Sequence, residues 1–154
     1  MIEKRILFVC LGNICRSPAA EGILREMAAK TGRELEIDSA GTYGGHAGEL
    51  PDFRMRAAAS RRGYDLSSRS RRITAGDFDR FDMIITMDDS VYDSVHRLAP
   101  TTEDAAKIYR MTDFCLTCKT NHIPDPYYEG TRGFEHVLDL LEDCCRGLLT
   151  RLDE

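Results

Sequence analysis

Residues 5–18 read Arg-Ile-Leu-Phe-Val-Cys-Leu-Gly-Asn-Ile-Cys-Arg-Ser-Pro. Arg5–Cys10 is a nearly continuous apolar run with Ile and Val, the pattern of a strand buried on both faces. A turn segment follows, after which Ser17-Pro18 opens a helix: Ser suits the N-cap and Pro the first helical position. Ala20, Ile23, Leu24, Met27 and Ala28 then form one apolar stripe, and Gly32 stops the helix.

Leu35–Ser39 is a short alternating strand, and Asp52 to Arg62 reads as a helix ending at Gly63. Met83–Met87 is a third buried strand. The helix after it runs through Val91, Val95 and Leu98 and ends before Pro100. Lys107–Tyr109 fits a short fourth strand. The last helix keeps Phe134, Val137, Leu138, Leu141, Cys144, Cys145, Leu148 and Leu152 at helical spacing. Alternating strands and helices predict a parallel sheet covered by helices on both faces, in a single α/β domain over 1–154. In such sheets ligands bind at the carboxyl ends of strands, beside a topological switch point. Cys10 ends the first strand, so chemistry is expected there.

Composition narrows the function. The chain has 154 residues, 42% hydrophobic and 31% charged, with a net charge of −5. That is a globular balance for one domain. The acidic balance argues against nucleic acid as a partner. No apolar run is long enough to cross a bilayer and none after Met1 resembles a signal peptide, so the expected location is the cytoplasm, with leaderless export left open. Seven arginines lie between Arg54 and Arg72 against only Asp65. The plain reading is a solvated helix face; the sharper one is an electropositive rim that attracts anions.

The six cysteines, Cys10, Cys15, Cys115, Cys118, Cys144 and Cys145, read as reduced thiols rather than a disulfide framework. Cys144 and Cys145 belong to the apolar face of the last helix. Cys115-Leu-Thr-Cys118 has zinc-knuckle spacing with His122 nearby, but no second ligand pair accompanies it, so no metal site is expected.

The turn Cys10-Leu-Gly-Asn-Ile-Cys-Arg-Ser17 links a buried strand to a helix, so its backbone N–H groups can curl around an anion. Gly12 and Asn13 tolerate the positive φ such a cradle needs. Cys10 would lie beneath amide dipoles with Arg16 across the cradle, and both favour thiolate over thiol. Arg16 offers a planar fork to two phosphoryl oxygens.

With these residues in place, the chain resembles the low-molecular-weight protein tyrosine phosphatases. The likeness rests on Leu7–Pro18, Asp38-Ser-Ala-Gly-Thr42, Met87-Asp-Asp-Ser90 and Asp125-Pro-Tyr-Tyr128. It implies a four-stranded parallel sheet flanked by helices and chemistry without metal or organic cofactor. It further implies that Cys10 attacks phosphorus to form a phosphocysteine, that Leu11, Gly12, Asn13, Ile14, Cys15 and Arg16 supply the cradle, and that Arg16 neutralises the equatorial oxygens. Ser17 would donate to the thiolate and Asn13 would brace the loop through partners such as Ser39. Asp125 would serve as general acid and then activate water, while Tyr127 and Tyr128 line the entrance. For Cys15 the resemblance implies a reversible disulfide with Cys10; a small packed side chain is the plain alternative. The implied substrates are phosphotyrosine proteins or aryl phosphates, acted on by a monomer.

Two positions depart from the pattern. Gly45 stands where the resembling proteins carry a bulky aromatic that walls the cleft, with Tyr43 two residues away as the substitute. Ser68 stands where a loop-bracing His is common, and a hydroxyl does not titrate near neutrality. Three other readings share parts of the pattern. A thioredoxin-coupled arsenate reductase needs two cysteines near the end of the third strand, where Ile84–Ser90 has none. A phosphate- or phosphopeptide-reading module would lack nucleophile or acid, and a phosphocarrier domain has no use for Asp-Pro-Tyr-Tyr.

Overall fold

The computed structural model describes all residues, 1–154. Four strands form one parallel sheet: β1 (Lys4–Cys10), β2 (Leu35–Gly41), β3 (Met83–Thr86) and β4 (Ile108–Arg110), in the order β2-β1-β3-β4. The chain first moves from β1 to β2 and then crosses back to β3 on the other side of β1. The switch point therefore falls at the carboxyl end of β1, beside Cys10, as expected of such sheets.

β1 is buried on both faces because its side chains alternate between two cores. Ile6, Phe8 and Cys10 enter the larger core with helices α1 (Arg16–Lys30), α2 (Phe53–Ser60) and α6 (Thr131–Leu152). Leu7 and Val9 enter a smaller one with α3 (Asp77–Arg80) and α4 (Asp89–Leu98). Each large apolar side chain of this kind, when fully buried, contributes roughly 1.5–3 kcal/mol, so a polar substitution anywhere from Ile6 to Cys10 would disturb one core or the other. α1 and α2 end shortly before the two glycines that stop them, Gly32 and Gly63, which take φ of 70° and 88°. Asp52 caps α2, its carboxylate accepting the Arg54 N–H. Three short pieces, α3, α5 (Thr102–Ala105) and a 3₁₀ turn at Met111–Phe114, are too short to carry a helical period.

Two expectations need correction. Ser17 does not cap α1. The helix begins at Arg16 after an N-cap at Cys15 whose side chain makes no capping bond, and Ser17 sits inside the first turn with its hydroxyl turned to Cys10. The capping position is surrendered to the loop. The six cysteines are also not all free: Cys115 and Cys118 are joined, while Cys10, Cys15, Cys144 and Cys145 are thiols. The Asp143 carboxylate accepts the backbone N–H groups of Leu116, Thr117 and Cys118. That curls the segment until the two Cα atoms lie 5.3 Å apart, within disulfide span.

The arginine run is neither a free face nor a continuous rim. Arg61 and Arg62 pair with Glu135 on α6, and Arg71 bridges Asp38 and Asp77. These guanidiniums tie elements together. No helix is long and apolar enough to cross a membrane.

Candidate active site

Residues 11–15 connect the end of β1 to α1 without regular structure, and Asn13 is the one non-glycine residue with positive φ, 57°. None of the backbone N–H groups of Leu11 through Cys15 is spent on a backbone carbonyl. Unspent amides beside a helix N-terminus form an anion cradle. Its shape is held from outside. The Asn13 amide donates to Ser17 Oγ at 2.8 Å and Ser39 Oγ at 2.9 Å, while its Oδ1 accepts the Arg71 N–H at 3.0 Å. Ser70 donates to the Gly12 carbonyl at 3.0 Å, and the Tyr43 N–H to the Leu11 carbonyl at 2.8 Å.

Behind this loop lies a buried carboxylate. Glu21, 1% exposed, accepts from Ser39 at 2.5 Å and Ser68 at 3.1 Å and faces the Arg25 guanidinium. Burial pushes its carboxyl above the usual range, partly offset by the Ser39 bond and Arg25. Ser68 thus braces the loop through Glu21 with a hydroxyl.

Cys10 Sγ is 3.0 Å from Ser17 Oγ. Arg16, 3% exposed, donates through Nη1 to Asp88 Oδ2 at 2.6 Å and to the Ile123 carbonyl at 3.0 Å. Its Nη2 is 3.8 Å from Asp125 Oδ2. Burial works against the charge on Arg16, but Cys10, Asp88 and Asp125 outweigh it and hold the guanidinium firmly protonated. Cys15 is held as the neutral thiol: burial first, then the charges of Asp52, Cys10 and Asp125, raise it far above the ordinary value. Cys10 Sγ sits beside the Ser17 hydroxyl, whereas Cys15 has Asp52 and Asp125 nearby.

These groups open into a cleft of about 240 Å³, floored by Cys10 and Arg16 and bordered by Tyr43, His46, Asp125 and Tyr127. Leu11, Gly12, Ile14, Cys15 and Tyr128 line it as well, whereas Asn13 and Ser17 stand behind the loop as supports. Tyr128 is 95% exposed and packs edge-on against Tyr127. A larger and more open groove beside α2, about 790 Å³, contains no comparable nucleophile or cradle.

A family model described as low molecular weight phosphotyrosine protein phosphatase matches residues 5–154. The chain belongs to this family. It is similar to the low molecular weight protein-tyrosine-phosphatase of Streptomyces coelicolor, 41% identical over 154 residues, with 97% of this chain and 94% of the relative covered. The human low molecular weight phosphotyrosine protein phosphatase is 35% identical over 150 residues, covering 96% and 95%. A crystal structure of a protein tyrosine phosphatase from Entamoeba histolytica superimposes with a TM-score of 0.95 at 43% identity, covering 97% of each chain.

Several residues of this family member's site were not legible from spacing alone. Asp88 holds Arg16 and also caps α4 by accepting the Val91 N–H at 2.8 Å; an Asp just past a buried strand was its signal. Gly41 is another: a Cβ there would lie 2.7 Å from the Leu11 carbonyl oxygen and 3.0 Å from the Asn13 nitrogen. Arg54 is the arginine of the run whose guanidinium reaches a residue lining the cleft. It pairs with Asp52, donates to the Tyr127 carbonyl at 3.0 Å and lies 5.3 Å over the Tyr127 ring.

Proposed function

We propose that the chain, as one domain spanning 1–154, is a protein tyrosine phosphatase that hydrolyses phosphotyrosine and aryl phosphate monoesters through a phosphocysteine intermediate. The observation that carries this reading is the convergence of Cys10, Arg16 and Asp125 on one cleft whose floor is a loop of unspent amides. A phosphoryl group seated there receives the amides of Leu11 to Arg16 and the Arg16 fork, which supports charge as it shifts onto the equatorial oxygens. Cys10 thiolate attacks phosphorus opposite the leaving oxygen. Asp125 protonates that oxygen as it departs as the phenol, then takes a proton from the water that attacks the phosphocysteine. Ser17, 3.0 Å from Sγ, donates to the thiolate and makes it the better leaving group in the second step.

Tyr43, Tyr127 and Tyr128 receive the substrate ring, so phenolic phosphates are favoured over phosphoserine. Asn13 offers its backbone amide to the phosphoryl group while its side chain braces the loop. The enzyme acts as a cytoplasmic monomer on phosphotyrosine-containing proteins.

The test is aryl phosphate hydrolysis in reducing buffer by wild type, Cys10→Ser and Asp125→Ala. Loss of activity in the first, with a fall of about 10²–10⁴-fold in the second, supports nucleophile and acid together. Wild type that binds vanadate or phosphate without turnover would overturn the reading in favour of a phosphate-reading module.

A further inference from the structure

The Cys115–Cys118 pair is not alone. Cys144 Sγ, on α6, lies 3.6 Å from Cys115 Sγ and 3.8 Å from Cys118 Sγ. All three sulfurs fall within 4.8 Å of one another. The arrangement is built rather than incidental. Asp143, the neighbour of Cys144, collects the three successive N–H groups of residues 116–118 and the Thr117 hydroxyl at 2.7 Å. One turn on, Gly147 leaves no side chain where the Phe114 carbonyl presses against the helix, and a Cβ there would collide with it. Loop and helix are thus locked face to face with the sulfurs between them.

The three differ in access. Cys115 and Cys118 are partly exposed on either side of the exposed Leu116 and Thr117, with Lys119 following. Cys144 is fully buried behind them, and burial with the adjacent Asp143 charge pushes its thiol up to about 12. Cys145 points elsewhere, toward the Ala20 carbonyl.

The geometry points to a second thiol site, apart from Cys10 and Cys15: Cys115 and Cys118 form a reversible dithiol/disulfide couple that exchanges with a low-molecular-weight thiol of the glutathione class, and Cys144 is its third, internal exchange partner. Oxidation runs in two displacements. Cys115 thiolate attacks one sulfur of the small disulfide and releases a thiolate, leaving a mixed disulfide. Cys118 thiolate then attacks Cys115 Sγ, expels the second small thiolate and closes the S–S bond. Two protein thiols are oxidised, one small disulfide is reduced to two thiols, and the two protons leave with them. Internal exchange needs no oxidant: Cys144 thiolate attacks Cys115 Sγ, the Cys115–Cys118 bond breaks, and the Cys144 proton ends on Cys118. Because thiolate supply limits the rate of exchange, the raised thiol of Cys144 makes this internal step slow.

The experiment is peptide mapping after incubation of the whole protein with glutathione disulfide, followed by alkylation of free thiols and mass spectrometry. The expected result is a peptide 111–119 lighter by two hydrogens, with neither cysteine alkylated, which reverts to full alkylation of both after reduction. In Cys118→Ser, peptide 111–119 should become cross-linked to peptide 133–146 through Cys144, and in Cys115→Ser the remaining Cys118 should do the same. The wild-type measurement decides the couple even where a variant fails to fold. Full alkylation of Cys115 and Cys118 after glutathione disulfide overturns the proposal. So does a glutathione adduct on the remaining cysteine of both variants with Cys144 left free. Protection of all three cysteines by Zn²⁺ while they stay reduced would also overturn it, making the cluster a metal site.

Discussion

Tyr43 lies across Gly45: a Cβ on residue 45 would overlap the tyrosine ring and hydroxyl. The ring also packs edge-on against His46, with centroids 6.0 Å apart, and lines the cleft above Cys10. The missing aromatic at 45 and the tyrosine at 43 are therefore one feature, since the wall can stand from 43 only where 45 is bare. Tyr43→Ala should raise KM for aryl phosphates about 2- to 10-fold, the value of one aromatic contact, with kcat nearly unchanged. Gly45→Ala should reproduce that loss by displacing Tyr43. Steady-state kinetics on both variants checks this; a fall in kcat alone would assign Tyr43 to the loop rather than to the wall.

Asp88 serves two elements at once, and two substitutions separate them. Asp88→Asn keeps a good N-cap for α4 but removes the charge from Arg16; Asp88→Ala removes both. Activity toward aryl phosphates should fall in each. Stability should fall further in the alanine variant than in the asparagine one, by about 1 kcal/mol, the ordinary value of a cap. Urea denaturation of the two variants, read beside their kinetics, checks the division. Equal stability would mean that the Val91 contact contributes nothing.

Much of this was legible because it is local. The buried run before Cys10, the Gly-Asn turn and the stripe of α1 are properties of neighbouring residues, and the last helix declares itself by period. A Ser before a Pro at a helix start is ordinarily a cap, but the Ser17 hydroxyl is taken by Cys10 and Asn13, partners that lie outside any local pattern. The roles of Asp88 and Gly41, and the placing of Cys144 against Cys115, depend on strand order and on how closely α6 meets the 114–118 segment. These are tertiary facts with no periodic trace. β4, three residues long, is near the limit of what alternation can mark.

Asp143 gives the fold an acid limb. Burial opposes its charge, but the N–H groups of Cys118, Thr117 and Leu116 with the Thr117 hydroxyl win, and its carboxyl is held down at about 2 against an ordinary 3.8. A depressed native value contributes stability that is present above the unfolded value and lost as pH falls through the native one. The contribution is about 2 kcal/mol, lost between about pH 4 and pH 2. Asp143→Asn should be less stable than wild type near neutrality, and the gap should close at about pH 2. Denaturation at several pH values checks this; a gap constant across the range would mean that the loss is steric rather than ionic.

Gly41 makes the most demanding claim on the loop. A Cβ at 41 would meet backbone atoms of Leu11, Gly12 and Asn13 at 2.7–3.1 Å, and backbone cannot swing aside as a side chain can. Gly41→Ala must therefore shift the cradle or β2, costing about 1–3 kcal/mol of overpacking. A cradle displaced by even about 1 Å loses on the order of 10² in kcat/KM. Gly32→Ala is the control. Its φ of 70° strains any Cβ, yet nothing lies within 4 Å of the added atom, so it should cost about 1–2 kcal/mol and leave kcat/KM unchanged. If close approach to the loop is what residue 41 supplies, the two variants will lose similar stability and differ by about two decades in kcat/KM and in vanadate affinity. Equal kinetics in both would show that the loop tolerates the added methyl and that Gly41 is not needed for its position.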